Sequence, residues 1–102
     1  MTTPLEIDFR EATDTRYEQL HFRQEGLKGF KLPGCWLYDF VKCLEMPRNI
    51  GKIVIYQDYW LEATKKDTTI HKSSIDLPIL SIDVGQHDRL LTHLKQTYPT
   101  LL

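Results

Sequence analysis

The stretch from Trp36 to Ala63 constrains this chain most: an amphipathic run there is followed at once by a β-branched one. At about 100° per residue, Trp36, Leu37, Phe40, Val41, Cys43 and Leu44 fall on one broad arc, and Tyr38, Asp39, Lys42 and Glu45 on the other. A stripe that wide belongs to a helix packed on a globular core. Pro33 and Gly34 give a loop entry. Pro47 ends the helix, because proline lacks an N–H and disfavours helical geometry at the residue before it. The predicted helix therefore covers residues 35–46. Asn49-Ile50-Gly51 turns the chain into Ile53-Val54-Ile55-Tyr56, which is too short for a helix and rich in β-branched residues, and so reads as a buried strand. Tyr59 to Ala63 continues in extended form, with Asp58 at a bend, bulge or turn. Laying the helix on this strand buries most of the large aromatics. At about 25 cal/mol per Å² of apolar area, that burial is the largest single source of stability.

The flanks supply further elements. Leu5 to Phe9 alternates apolar and polar residues, as a half-buried strand does. Residues 16–25 admit two readings. Thr15 and Glu18 have capping-box spacing and Gly26 sits where a helix would stop, which predicts a helix. Leu20 and Phe22 lie two apart, which predicts a strand paired with residues 5–9. Leu27 to Gly34, rich in glycine and proline, reads as loop. Lys65 to Thr69 reads as a hairpin connection, with Ile70 to Lys72 pairing briefly with residues 61–65. Leu77 to Val84 is a second apolar β run, with Pro78 at its start or on an edge. Asp83 and Gln86 have capping spacing for a last helix, 86–98, whose apolar face is Leu90, Leu91, Leu94 and Tyr98. The expected fold is α+β: a mainly antiparallel sheet of four or five strands packed against two helices, or three if 16–25 is helical.

With 102 residues, the chain is read as one domain, 1–102, able to build a core without staples. Its 41% hydrophobic and 26% charged residues are ordinary for a globular protein, which argues against disorder. No apolar run approaches the roughly 20 residues of a membrane span, and the start of the chain does not resemble a signal or transit peptide. Cys35 and Cys43 are eight apart, roughly 12 Å along a helix and too far for a disulfide. A reduced, cytoplasmic protein is expected.

Net charge is −1, but it is unevenly spread. Residues 1–22 hold Glu6, Asp8, Glu11, Asp14 and Glu18 against Arg10 and Arg16. Residues 23–72 are basic on balance. Such an acidic arm beside a basic middle is either self-complementary or suited to two partners.

The chemical motifs are weak. Cys35 at a helix start has the dipole and free N–H groups that activate a thiol, yet His21, His71, His87 and His93 are all remote in sequence and no base is fixed beside it. An ordinary cysteine is the better reading, and Cys43, on the apolar arc, reads as core. The histidines lack metal spacing and read as surface imidazoles; His87 and His93, six apart, fall on different sides of one helix. Neither a metal nor a cofactor is expected. Phosphate-loop and dinucleotide fingerprints are absent.

The richest group is Lys52, Tyr56, Tyr59, Trp60, Lys65 and Lys66. Strict alternation puts Tyr56 and Trp60 on one face with Asp58 and Glu62. Rings beside acids suit a protein contact, where aromatics are enriched, unless the rings simply form core. Tyr56, Asp58, Tyr59, Trp60 and Glu62 are therefore the expected protein-binding residues of a small non-enzymatic regulator, inhibitor or assembly factor, with homodimerisation through an edge strand as a companion. The alternative is a nucleic-acid accessory protein using Lys52, Lys65, Lys66 and Lys72 with the same aromatics. A third reading is a small enzyme that depends on Cys35.

Overall fold

The computed structural model describes residues 3–102 and shows an α+β architecture of seven strands and two helices. In chain order these are β1 (Glu6–Arg10), β2 (Gln19–Arg23), β3 (Phe30–Pro33), α1 (Leu37–Glu45), β4 (Lys52–Tyr56), β5 (Tyr59–Ala63), β6 (Asp67–Lys72), β7 (Leu80–Asp83) and α2 (Val84–Thr97). Single 3-10 turns, Gly34–Trp36 and Pro99–Leu101, precede α1 and follow α2. All pairings are antiparallel. The strands form two sheets instead of the single sheet expected, one of order β1-β2-β3 and one of order β4-β5-β6-β7.

Within 16–25 the structure forms a strand, β2 at Gln19–Arg23, and no helix. Leu20 and Phe22 point inward and pair with Phe9 and Ile7 on one side and with Leu32 and Phe30 on the other. The local capping box at Thr15 and Glu18 does not form. Thr15 lies instead in a tight turn closed by hydrogen bonds between Thr13 and Arg16, 2.8 and 3.4 Å. Tertiary burial of two apolar side chains outweighs a cap worth about 1 kcal/mol.

Residues 30–33, expected in a loop, form β3. Phe30 and Leu32 alternate with exposed Lys31, and the flanking Gly29 and Pro33 mark the strand's ends. Gly34 donates to the Glu18 carbonyl at 2.8 Å, next to the Gln19–Pro33 pair. Bonding alternates along an antiparallel pair, so the nitrogen of Pro33 faces away from β2, where no donor is needed.

The core is one cluster. Phe22, Phe30 and Phe40 meet with ring centroids 5.5–5.8 Å apart, so β2, β3 and α1 share a single aromatic contact. Leu61, Ile70, Leu80 and Ile82 extend it across the second sheet to Leu90 and Leu94 of α2. The capping box of α2 forms as expected: Gln86 N–H donates to Asp83 Oδ1 at 2.7 Å, and Asp83 N–H to Gln86 Oε1 at 3.0 Å.

One side chain clamps the first sheet to β7. Gln24, just past β2, is buried and uses both ends of its carboxamide on β7. Its Nε2 donates to the Ser81 carbonyl and its Oε1 accepts from the Ser81 N–H, both at 2.7 Å. An amide that donates and accepts at one residue does what a neighbouring strand would do there. Gly29 N–H adds a bond to the Ile79 carbonyl at 3.1 Å. No helix among the described residues is long and apolar enough to cross a membrane.

Candidate functional site

The β4–β5 hairpin turns through Gln57 and Asp58, with Gln57 at φ 49°. Chain reversal and a bulge between Val54 and Tyr56 break the strict alternation expected from Ile53. Tyr56 pairs with Tyr59, and Val54 with Trp60, so Tyr56 and Trp60 lie on opposite faces of the sheet. The five residues expected at a contact are thereby divided.

Tyr56 and Tyr59 turn inward. Their rings stack 5.1 Å apart; Trp36 stacks on Tyr56 at 5.2 Å, and Tyr59 meets Phe30 at 5.2 Å. This row of rings bridges the second sheet to β3 and α1. The Tyr56 hydroxyl donates to the Lys31 carbonyl at 3.4 Å. Burial, reinforced by Tyr59, Asp58 and Cys35 nearby, pushes the Tyr56 phenol up to about 12. Asp58 is half-buried in the turn, and its carbonyl accepts from the N–H and hydroxyl of Ser73 at 3.0 and 3.1 Å.

Trp60 and Glu62 lie on the outer face. There the Trp60 indole stacks flat on His71, centroids 4.0 Å apart and planes 9° apart. Lys52 Nζ sits 4.5 Å from the Trp60 ring centroid. Val54, opposite Trp60, is 61% exposed. His71 Nε2 lies 2.8 Å from Thr69 Oγ1, and Glu62 pairs with Lys52 across the strands. Burial lowers the His71 pKa below 6.5; Glu62 opposes this and Lys52 adds to it. The result is a rigid aromatic platform with a cation at one margin and an acid beside it. No helix or loop among the described residues is hydrogen-bonded across it.

The four lysines of the nucleic-acid reading do not converge. Lys52 belongs to the Trp60 face, whereas Lys72 lies over the Tyr59 ring at 5.4 Å, on the other side. Lys65 and Lys66 sit in the β5–β6 turn, at the opposite end of β6 from Lys72. That end is roughly 20 Å away at about 3.3 Å per residue.

Cys35 is exposed, and among the described residues no hydrogen bond ties it to a histidine. Cys43 is buried as expected, its thiol pKa raised by burial, and its Sγ lies 3.7 Å from the Val54 carbonyl. No group of three or more metal-ligating side chains is found among the described residues.

One polar residue was missed at the sequence level. His87 is buried instead of exposed: its Nδ1 is 2.7 Å from Thr68 Oγ1 and its Nε2 is 2.8 Å from the Leu44 carbonyl. A carbonyl only accepts, so Nε2 carries the proton, and in the neutral ring Nδ1 accepts from the Thr68 hydroxyl. Arg48 Nη2 in turn donates to Thr68 Oγ1 at 3.1 Å, and Arg48 also holds the carbonyls of Thr64 and Asp67 at 2.7 Å each. The placement of His87 one turn before Leu90 and two before Leu94 was the available signal, because it shares their face of the helix.

No protein-family model, curated protein or solved structure matches this chain.

Proposed function

We propose that this chain works by binding a protein partner through the outer face of the β4–β7 sheet, as a small regulator, inhibitor or assembly factor. The observation that carries the reading is Trp60: a large ring held in one orientation by His71 and Lys52, beside the exposed Val54, on a face where no other element among the described residues is hydrogen-bonded across it. Ordering that ring on binding costs little, because the stack has already fixed it. Aromatic anchors of this kind dominate the energetics of protein interfaces. Val54 extends the apolar surface, and Glu62 and Lys52 supply polar groups of both signs at its margin. Tyr56 and Tyr59 support the platform from within the core and are not part of the contact proposed.

The test is capture of partners from the native host by tagged protein, with and without nuclease, comparing wild type with Trp60→Ala. A discrete protein retained by wild type and lost from folded Trp60→Ala supports the surface. Equal recovery by both removes it. Recovery only of nucleic acid, abolished by nuclease and by salt, would replace it with the lysine reading.

A further inference from the structure

The two sheets present four edges, and three of them are engaged. At β7 the outward-facing Ser81 is held by Gln24 and the outward N–H of Asp83 by Gln86. At β3 the outward Lys31 carbonyl accepts from Tyr56. At β4 the outward Val54 carbonyl lies against Cys43, and the strand carries Lys52 and a bulge, both of which discourage pairing. The fourth edge is β1. The Gly34–Glu18 bond assigns Glu18, Leu20 and Phe22 to β3, so Gln19, His21 and Arg23 bond to Arg10, Asp8 and Glu6. The N–H and C=O groups of Ile7 and Phe9 therefore face away from β2. Among the described residues no hydrogen bond from another element reaches them, and Phe9 is 37% exposed.

We infer that β1 is a self-pairing edge: two copies of the chain join antiparallel through it, about a two-fold axis at Phe9. The charges select both the partner and the register. An axis at Ile7 sets Glu6 of each copy opposite Asp8 of the other; an axis at Asp8 sets two Glu6–Arg10 pairs but also the two Asp8 carboxylates face to face at its centre. Like charges directly opposite are unfavourable. An axis at Phe9 sets Asp8 of each copy opposite Arg10 of the other, twice. It also makes Phe9 opposite Phe9 a hydrogen-bonded pair, which uses the outward groups of that residue. The same register brings Glu11 of the other copy opposite Ile7. There β1 and α2 form a groove of about 480 Å³ whose walls include the Arg89 guanidinium and the His93 ring. The joined sheet has six strands, order β3-β2-β1-β1-β2-β3, and no open edge at its centre.

Sedimentation velocity of the full chain over a concentration series tests this. Wild type is expected to pass from monomer to dimer as concentration rises. Phe9→Pro is expected to stay monomeric with an unchanged circular dichroism spectrum, because the nitrogen it alters faces away from β2. A second measurement reads the register without relying on that proline. In a Cys35→Ser background, Phe9→Cys is expected to form a disulfide-linked dimer under mild oxidation at least about ten times faster than Ile7→Cys. In this register the two Ile7 positions lie roughly 13 Å apart, beyond disulfide reach. A wild type that stays monomeric throughout, a dimer unaffected by Phe9→Pro, or equal cross-linking at the two cysteines would each overturn the proposal.

Discussion

His87 Nε2 lies 2.8 Å from the carbonyl oxygen of Leu44, so a residue in the first turn of α2 holds the last turn of α1. That carbonyl is among the four that an α-helix leaves unpaired at its end. At the end of α1, Met46 turns out of helical geometry and its N–H donates to the Cys43 carbonyl, leaving that of Leu44 to another partner. The cap comes from 43 residues away.

Replacing His87 by leucine keeps the volume and removes both bonds. The Leu44 carbonyl is then buried without a donor, and the Thr68 hydroxyl loses its acceptor. Each such group costs about 1–3 kcal/mol, so His87→Leu is expected to lower stability by about 2–4 kcal/mol in urea unfolding. A loss under about 0.5 kcal/mol, the scale of an ordinary surface change, would show that the cap contributes nothing.

Gln24 gives a sharper comparison, because Gln24→Glu preserves shape and changes one end only. A carboxylate still accepts from Ser81 N–H but faces the carbonyls of Ser81 and Thr3, to which Nε2 now donates at 2.7 and 3.1 Å. The expected cost is about 2–3 kcal/mol near neutral pH. It shrinks as the pH falls and the carboxyl regains a proton to donate. A cost independent of pH would argue against direct bonding to these carbonyls.

Two glycines share the same positive φ of 83° but not the same surroundings. At Gly26 an added Cβ meets nothing within 4 Å, whereas at Gly29 it lies 2.8 Å from the Phe22 carbonyl oxygen, which belongs to the backbone. Gly26→Ala is expected to cost the left-handed penalty of about 1–2 kcal/mol. Gly29→Ala is expected to cost at least about 1 kcal/mol more, since the ladder itself must shift. Thermal unfolding of the pair checks the order; equal losses would mean that the β2–β3 hairpin yields freely.

Stability is expected to fall as pH drops from about 7.5 to 5.5. Burial lowers the His71 pKa, and burial together with Arg10 and Lys31 lowers that of His21. A histidine depressed in the folded state lets the unfolded chain take up the proton first. Its contribution is therefore complete above 6.5 and is lost as pH falls toward the folded value. Replacing both histidines by glutamine should flatten the denaturation midpoint against pH in this window. An unchanged slope would assign the effect to other groups.

The local elements were legible in the sequence wherever one periodicity ruled. The helix from Leu37, its end before Pro47, the β4 and β5 runs and the cap at Asp83 all follow from patterns a few residues long. Residues 19–23 were legible only as one of two readings, the strand paired with residues 5–9, and 30–33 not at all, because their strand character rests on pairing on both sides of β2, and pairing is not a local property. The site suffered in the same way. Trp60 stands out by residue type, but its face depends on a bulge at the β4–β5 turn that no alternation rule contains. Its stacking partner, His71, enters only through the register of β6, eleven positions further on. His87 was misassigned because a polar residue reads as surface until its two distant partners are known.

The clamp between Gln24 and Ser81 has a consequence for how the chain is made. Its halves are 57 residues apart, and β7 leaves the ribosome long after β1, β2 and β3. Until then Gln24 has only the Thr3 carbonyl to hold and the Gly29 N–H lacks its acceptor, so the nascent three-stranded unit lacks the wall against which it closes. The molecule therefore has no natural halfway stage in which its first sheet stands finished, and translation of the last strand is what commits the first three.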